Sequence, residues 1–262
     1  MSVRIKQLEK ELGERLFDRA RRGVVLTEAG AVLYGSAEKI FADVEEALLK
    51  LKELGQAGTG HVRVGCSDTV SLYTLPPVLK KFRKKFPEAE ITIRHAYTNG
   101  ILDLLVRGEL DFGIVTRPAA LDRRLEARDL FTEPFVVVCT KGDPLLRRAQ
   151  TTLEALDGRP MVMLEKGTVT RERVDRALRS AKARPRIVLE TGSIEVQKLY
   201  AASGFGCALL PKSALADSDK RRLEARPLKG NPLERRVAVV VPRDRYVSRA
   251  AAALLTLVGE AV

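Results

Sequence analysis

From His61 to Pro211 the chain runs twice through the same succession of strand, helix, strand, helix and strand. The first pass reads HVRVGC, LYTLPPVLKKFRKKF, EITIRHAY, NGILDLLVRG and LDFGIVTR. The second reads PMVMLE, TRERVDRALRSA, RIVLETG, SIEVQKLYAAS and CALLP. Short runs rich in Val and Ile suit strands, and apolar residues spaced by three and four suit helices. A chain that alternates in this way builds a parallel sheet with right-handed crossovers, because the twist of the strands favours that hand. Two such units imply two lobes of one α/β architecture.

Two longer extended stretches connect them. LEARDLFTEPFVVVCTKGDP leads from the first unit to the second, and LEARPLKGNPLERRVAVVVPRD leads back. Each begins LEAR and ends in a Val-rich run, so both read as crossover segments between lobes. VSRAAAALLTLVGE then reads as a helix packed on the first lobe. The expected division is lobe I over 59–133 and 238–262 and lobe II over 134–237, within a domain of 59–262. Two lobes joined by two strands enclose a cleft where hinge closure can trap a small ligand.

Upstream, Thr27 is placed to cap a long helix, TEAGAVLYGSAEKIFADVEEALLKLKEL. Leu33, Ala37, Ile40, Val44, Ala47, Leu51 and Leu54 recur in steps of four and three, the seam of a coiled coil. At 1.5 Å per residue the helix would reach about 40 Å. Residues 28–58 are therefore read as a linker and dimerisation helix; an ordinary helix packed on the following domain is the alternative. Three glycines in GQAGTG (55–60) end it.

The first 27 residues have another character. Ile5, Leu8 and Leu12 form a helical stripe closed by Gly13. Arg19, Arg21, Arg22 and Gly23 make a basic turn before the short strand Val24–Leu26. A helix, a basic turn and a β ribbon are the parts of a winged helix-turn-helix, with the arginines on phosphates or in the minor groove. A solvated hairpin with incidental charge fits the same residues.

The net charge of +12 does not lie there: residues 1–60 hold ten basic and ten acidic residues, so the excess belongs to 61–262. It favours either an anionic small ligand or merely an arginine-rich solvated surface. Three cysteines are an odd number, so no disulfide framework is expected; Cys66, Cys139 and Cys207 adjoin apolar strands, where cysteine acts as a small hydrophobe, and redox sensing is the alternative to this core packing. His61 and His95 have no partner at metal-ligand spacing, so no metal is expected. There is no nucleophile elbow, dinucleotide loop or phosphate loop, so no enzyme and no cofactor are expected. No apolar run is long enough to span a bilayer and the charged N-terminus has no signal-peptide core; a cytoplasmic protein with no membrane partner is expected.

Taken together, RIKQLEKELGERLFDRARRGVVLTEAG, VRVGC, LPPVLKKFRKKFPEAEITI, RGELDFGIVTR and AASGFGCALLP resemble a LysR-type transcriptional regulator over essentially the whole chain. The resemblance implies a partial winged helix-turn-helix, a linker helix that pairs two chains, and a two-lobed effector domain of the type 2 periplasmic-binding-protein kind. It also implies DNA at a promoter or operator, a small coinducer that could be anionic, and assembly as a homodimer or homotetramer. Family members carry about thirty residues before this stretch, supplying the first helices of the DNA-reading unit. The remaining candidates for DNA contact are Ser2, Arg4, Lys6 and Gln7 with Arg19, Arg21 and Arg22. A chain that senses and oligomerises without reading DNA by itself is the alternative.

Ligands in such sheets bind at the carboxyl ends of the strands, beside helix N-termini. Those positions hold Ser67, Thr69, Thr98, Asn99, Thr116, Gly167, Thr168 and Ser193. By resemblance, Thr69, Thr98, Thr116 and Thr168 match positions lining the family's coinducer pocket. Each is also an ordinary cap or turn residue.

Overall fold

The structure, a computed structural model, describes residues 3–20, 23–55, 60–147 and 149–261. Ser2, Arg21 and Arg22 lie outside them, as do the side chains of Arg19 and Leu51.

Helix α1 (Val3–Leu12) is followed by the hairpin β1 (Phe17–Ala20) and β2 (Gly23–Leu26). Glu9 ties the two together, its Oε1 accepting the amides of Leu16 at 2.8 Å and Phe17 at 3.3 Å. Thr27 caps α2 (Glu28–Gly55) by accepting the Gly30 amide at 3.0 Å. Gly30 is required there, since a Cβ would sit 2.0 Å from the Leu16 carbonyl oxygen. Along α2, Leu33 and Ala37 are half-buried, while Ile40, Val44 and Ala47 are exposed. Tyr34, Phe41 and Leu48, seven residues apart, are exposed beside them and widen the apolar stripe.

The remaining strands are β3 (His61–Cys66), β4 (Glu90–His95), β5 (Phe112–Thr116), β6 (Leu125–Thr140), β7 (Pro160–Leu164), β8 (Arg186–Thr191), β9 (Ala208–Pro211), β10 (Leu223–Pro227) and β11 (Glu234–Pro242). The helices are α3 (Leu75–Lys85), α4 (Thr98–Arg107), α5 (Val169–Ser180), α6 (Ile194–Ala202) and α7 (Arg249–Glu260). One seven-stranded sheet runs β10-β6-β11-β5-β3-β4, with β9 also on β6, and β7 and β8 pair in parallel. Strands β3, β4 and β5 are parallel, as the alternation requires.

In lobe I, Val62, Val64 and Phe112 pack against Phe82 of α3 and Leu254 of α7. Helix α4 covers the other face through Ile101 and Leu105. It can do so because Gly65 and Gly113 are register partners: a Cβ on either would come within 2.8 Å of Ile101. In lobe II, Phe135, Met161, Val174 and Leu209 share one core and Val138, Ala201 and Leu210 another.

Two expectations are corrected. The segment before α3 is not one helix: Val70–Thr74 is a π-helical turn, and α3 begins only with Leu75, where Pro76 and Pro77 suit a first turn that needs no amide donors. The second LEAR segment is not one crossover either. Gly230 (φ 75°) and Asn231 (φ 48°) turn the chain, so β10 stays in lobe II against 136–140 of β6. Only β11 returns, paired antiparallel with 125–134 of β6 through a bulge that leaves Leu130 unmatched. Among the described residues no helix is long and apolar enough to cross a membrane.

Candidate functional site

The carboxyl ends of β3, β4, β5, β7 and β8, with β11, enclose a cavity of about 470 Å³ between the lobes. Lobe I contributes Ser67, Asp68 and Thr69 after β3, His95 to Thr98 and Gly100 around the start of α4, and Thr116. Lobe II contributes Leu164, Thr168 to Thr170, Gly192 and Ile194, and β11 contributes Arg235.

The polar groups are organised rather than loose. Thr168 caps α5, accepting the Arg171 amide at 3.0 Å. Thr98 donates to the Thr116 carbonyl at 3.3 Å, fixing the start of α4 to the end of β5. Ser67 and Thr69 hydroxyls lie 3.2 Å apart, and Thr69 Oγ1 accepts from Arg235 Nη1 at 3.2 Å. Arg235 is 2% exposed, and its Nε donates to Glu133 Oε1 at 2.6 Å. Burial pulls this guanidinium below its ordinary value while Glu133 pulls it up. Glu133 also accepts the Ser213 amide. Asp68 pairs with His95, Oδ1 to Nδ1 at 3.3 Å. The arginine of the wall is thus matched by Glu133, and the excess positive charge of the chain is not concentrated here.

A profile of the LysR substrate-binding domain matches residues 55–262, and a bacterial regulatory helix-turn-helix profile of the lysR family matches residues 1–31. The chain belongs to the LysR family of transcriptional regulators. Relatives include the Shigella flexneri regulator YfeR, 28% identical over 98% of this chain and 83% of that protein. Another is the Escherichia coli dual regulator OxyR, 28% identical over 84% of this chain and 72% of that protein. Full-length OxyR of Pseudomonas aeruginosa superimposes with a TM-score of 0.74 at 27% identity, covering 97% of this chain and 83% of that one. The regulatory domain of Synechocystis CcmR, solved with 2-PG, superimposes at 0.69 and 25% identity over 77% of this chain and 96% of that one.

In this LysR-family chain, Ser67, Thr69, Thr98, Thr116 and Thr168 meet at the cavity as the strand ends foretell. Asn99, Gly167 and Ser193 are not part of its wall. Asn99 and Gly167 are exposed, Gly167 being a turn residue with φ of 86°, and Ser193 precedes α6 without entering the lining. Sequence reasoning missed His95, Tyr97 and Arg235.

The lobes are bridged twice by tyrosines. Tyr97 Oη lies 2.5 Å from Glu165 Oε1 and 2.9 Å from the Gly192 carbonyl, sharing its one proton across the mouth. Burial and the Glu165 carboxylate both raise its pKa. Tyr73 donates to Glu195 at 2.5 Å and accepts from Lys198 Nζ at 2.6 Å. Lys198, 5% exposed, also meets Asp219 at 2.8 Å. Burial alone would lower its pKa, but Asp219, Tyr73 and Glu195 outweigh that and raise it.

Proposed function

We propose that the cavity between the lobes is the coinducer site of this regulator and that Ser67, Thr69, Thr98, Thr116 and Thr168, with Tyr97 and Arg235, receive the ligand. The observation that carries this reading is a single cavity walled by both lobes and spanned by Tyr97 and Glu165. Its volume falls in the range of small-molecule sites. The ligand class that fits is a small polar molecule. Hydroxyls and the N-terminal amides of α4 and α5 meet its oxygens, and an anionic group is accommodated by those amides rather than by an unpaired side-chain cation. CcmR, whose domain was solved with 2-PG, is a precedent for a small ligand in such a domain.

A thermal-shift screen of small metabolites, followed by calorimetry, tests this. Thr69→Ala with Thr98→Ala should weaken the best ligand at least tenfold. Unchanged affinity in a variant that still melts cooperatively rejects these positions.

The N-terminal part is assigned to DNA through Arg4, Lys6 and Gln7 on α1, with Ser2, Arg19, Arg21 and Arg22. Lys6 and Gln7 are exposed, and Gln7 donates to Glu11 at 2.9 Å. The apolar stripe of α2, including Leu33, Ala37, Ile40, Val44, Ala47 and Leu51, is assigned to pairing with a second copy. Selection from a random duplex pool and a salt titration of the selected site test the DNA reading. Binding without sequence preference, or none, leaves the sensing and pairing assignments standing and removes this one.

A further inference from the structure

We propose that Cys139 and Cys207 are a reversible disulfide site inside lobe II, closed by a two-electron oxidant of the hydroperoxide class. The two sulfurs lie 2.7 Å apart, and both residues are buried. Their placement follows from strand register. Strands β6 and β9 pair antiparallel with Val138 opposite Ala208, so one step further sets Cys139 opposite Cys207. The Cys207 amide donates to the Pro160 carbonyl at 2.9 Å, and its carbonyl accepts from the Val162 amide at 2.9 Å. Both backbone groups thus turn toward β7, away from β6. Cys139 and Cys207 therefore form a non-hydrogen-bonded pair, whose Cα atoms approach to about 4.5 Å in antiparallel sheets. That separation is within the range that a disulfide bridges without backbone movement.

The surroundings favour thiolate chemistry at Cys207. Arg159 neighbours its sulfur and holds Asp143, Nη2 to Oδ1 at 2.6 Å. The Cys139 thiol donates to Cys207 Sγ; that hydrogen bond, with Arg159 behind it, lowers the Cys207 pKa. In the first step the Cys207 thiolate attacks the O–O bond of a hydroperoxide. A sulfenic acid forms, and the departing alkoxide or hydroxide takes up the proton that Cys207 had lost. In the second step Cys139 sulfur attacks the sulfenic sulfur, the S–S bond forms, and water leaves with the Cys139 proton. Two thiols are oxidised and one O–O bond is reduced. Burial of both sulfurs selects a water-sized oxidant such as hydrogen peroxide over a bulky disulfide.

Asp143 completes a cluster with the two sulfurs that could hold a cation. Arg159 already occupies the carboxylate, however, and tetrahedral zinc with Zn–S of about 2.3 Å would spread its sulfurs about 3.8 Å apart. Cys66 is the internal control: it is buried, and burial pushes its pKa up to about 12.

The test is to reduce the chain, remove the reductant, titrate the native protein with hydrogen peroxide, denature it in N-ethylmaleimide and map the peptides. A Cys139–Cys207 cross-link should appear, with Cys66 still labelled and both thiols recovered after dithiothreitol. Cys139→Ser should stop at a dimedone-reactive sulfenic acid on Cys207. Both cysteines still labelled after oxidation of the native chain, a cross-link that appears only when the same treatment follows unfolding in urea, or a link to Cys66 overturns the proposal. So does stoichiometric zinc that wild type retains and Cys139→Ser loses.

Discussion

Arg235 and Glu133 face each other in register on β11 and β6, the two strands that cross between the lobes, and their side chains form a buried ion pair. Burying two charges is favourable only when each is paired and its remaining groups are bonded, and here Ser213 and Thr69 complete the set. Arg235→Met should strand a buried carboxylate and cost about 3–5 kcal/mol in urea unfolding. Adding Glu133→Leu should recover much of the loss. A single variant within about 1 kcal/mol of wild type would show that the pair does not hold the crossover.

Tyr97→Phe deletes the bond across the mouth while leaving the ring in place. The expected loss is about 1 kcal/mol from the closed form, the net worth of one such bond. Ligand should dissociate several-fold faster in stopped flow while the thermal midpoint hardly moves. Equal dissociation rates would mean that Tyr97 does not latch the cleft.

Lys198 links Tyr73 and α6 to Asp219 beneath them. Its folded pKa is raised, so its contribution to stability is fully present below the ordinary lysine value and is lost as pH climbs through the folded value. Stability should therefore be flat from neutral pH to about pH 10 as far as this group is concerned. Lys198→Met should be less stable at neutral pH by about 3 kcal/mol and lack the alkaline fall specific to that amine. Chemical denaturation from neutral pH to well above the ordinary lysine value decides it.

Ile40→Glu with Val44→Glu places charges on the exposed stripe of α2. Sedimentation should report a smaller assembly than wild type. The same assembly after both changes moves the interface elsewhere, and Phe41→Glu then asks whether the neighbouring row of Tyr34, Phe41 and Leu48 carries it.

Gly113→Ala forces a Cβ against Ile101 and should cost about 1–3 kcal/mol by overpacking. Gly35→Ala on α2 meets nothing within 4 Å and should be neutral or slightly stabilising. Thermal melts of the two variants separate the packing demand of α4 from a general intolerance to substitution.

The order of strands and helices was legible because each element carries its own period, and the five hydroxyl residues at the cavity were legible because parallel strands all end on one side. The π-turn at Val70–Thr74 was not, since it has the same apolar spacing as the helix it precedes. Arg235 was half legible: alternation along ERRVAVVV puts it on the inward face with Val237, yet only the register with Glu133 explains how a charge can sit there. Tyr97 acts across the cleft on Glu165 and Gly192, and no local pattern announces a partner that distant in sequence. The pairing of Cys139 with Cys207 likewise depends on β9 lying against β6, which alternation alone does not specify.

The crossover pair has a consequence for how such a sensor can diversify. The chain leaves along β6 and returns along β11 with Pro134 opposite Glu234, and the Phe135 amide bonds the Leu233 carbonyl at 3.0 Å. Everything from Phe135 to Leu233 is therefore a single insertion whose ends touch. One uninterrupted gene segment can be exchanged for another without rerouting the rest of the polypeptide, replacing lobe II's share of the cavity wall in one recombination event while lobe I's share, and the part assigned to DNA, stay as they are.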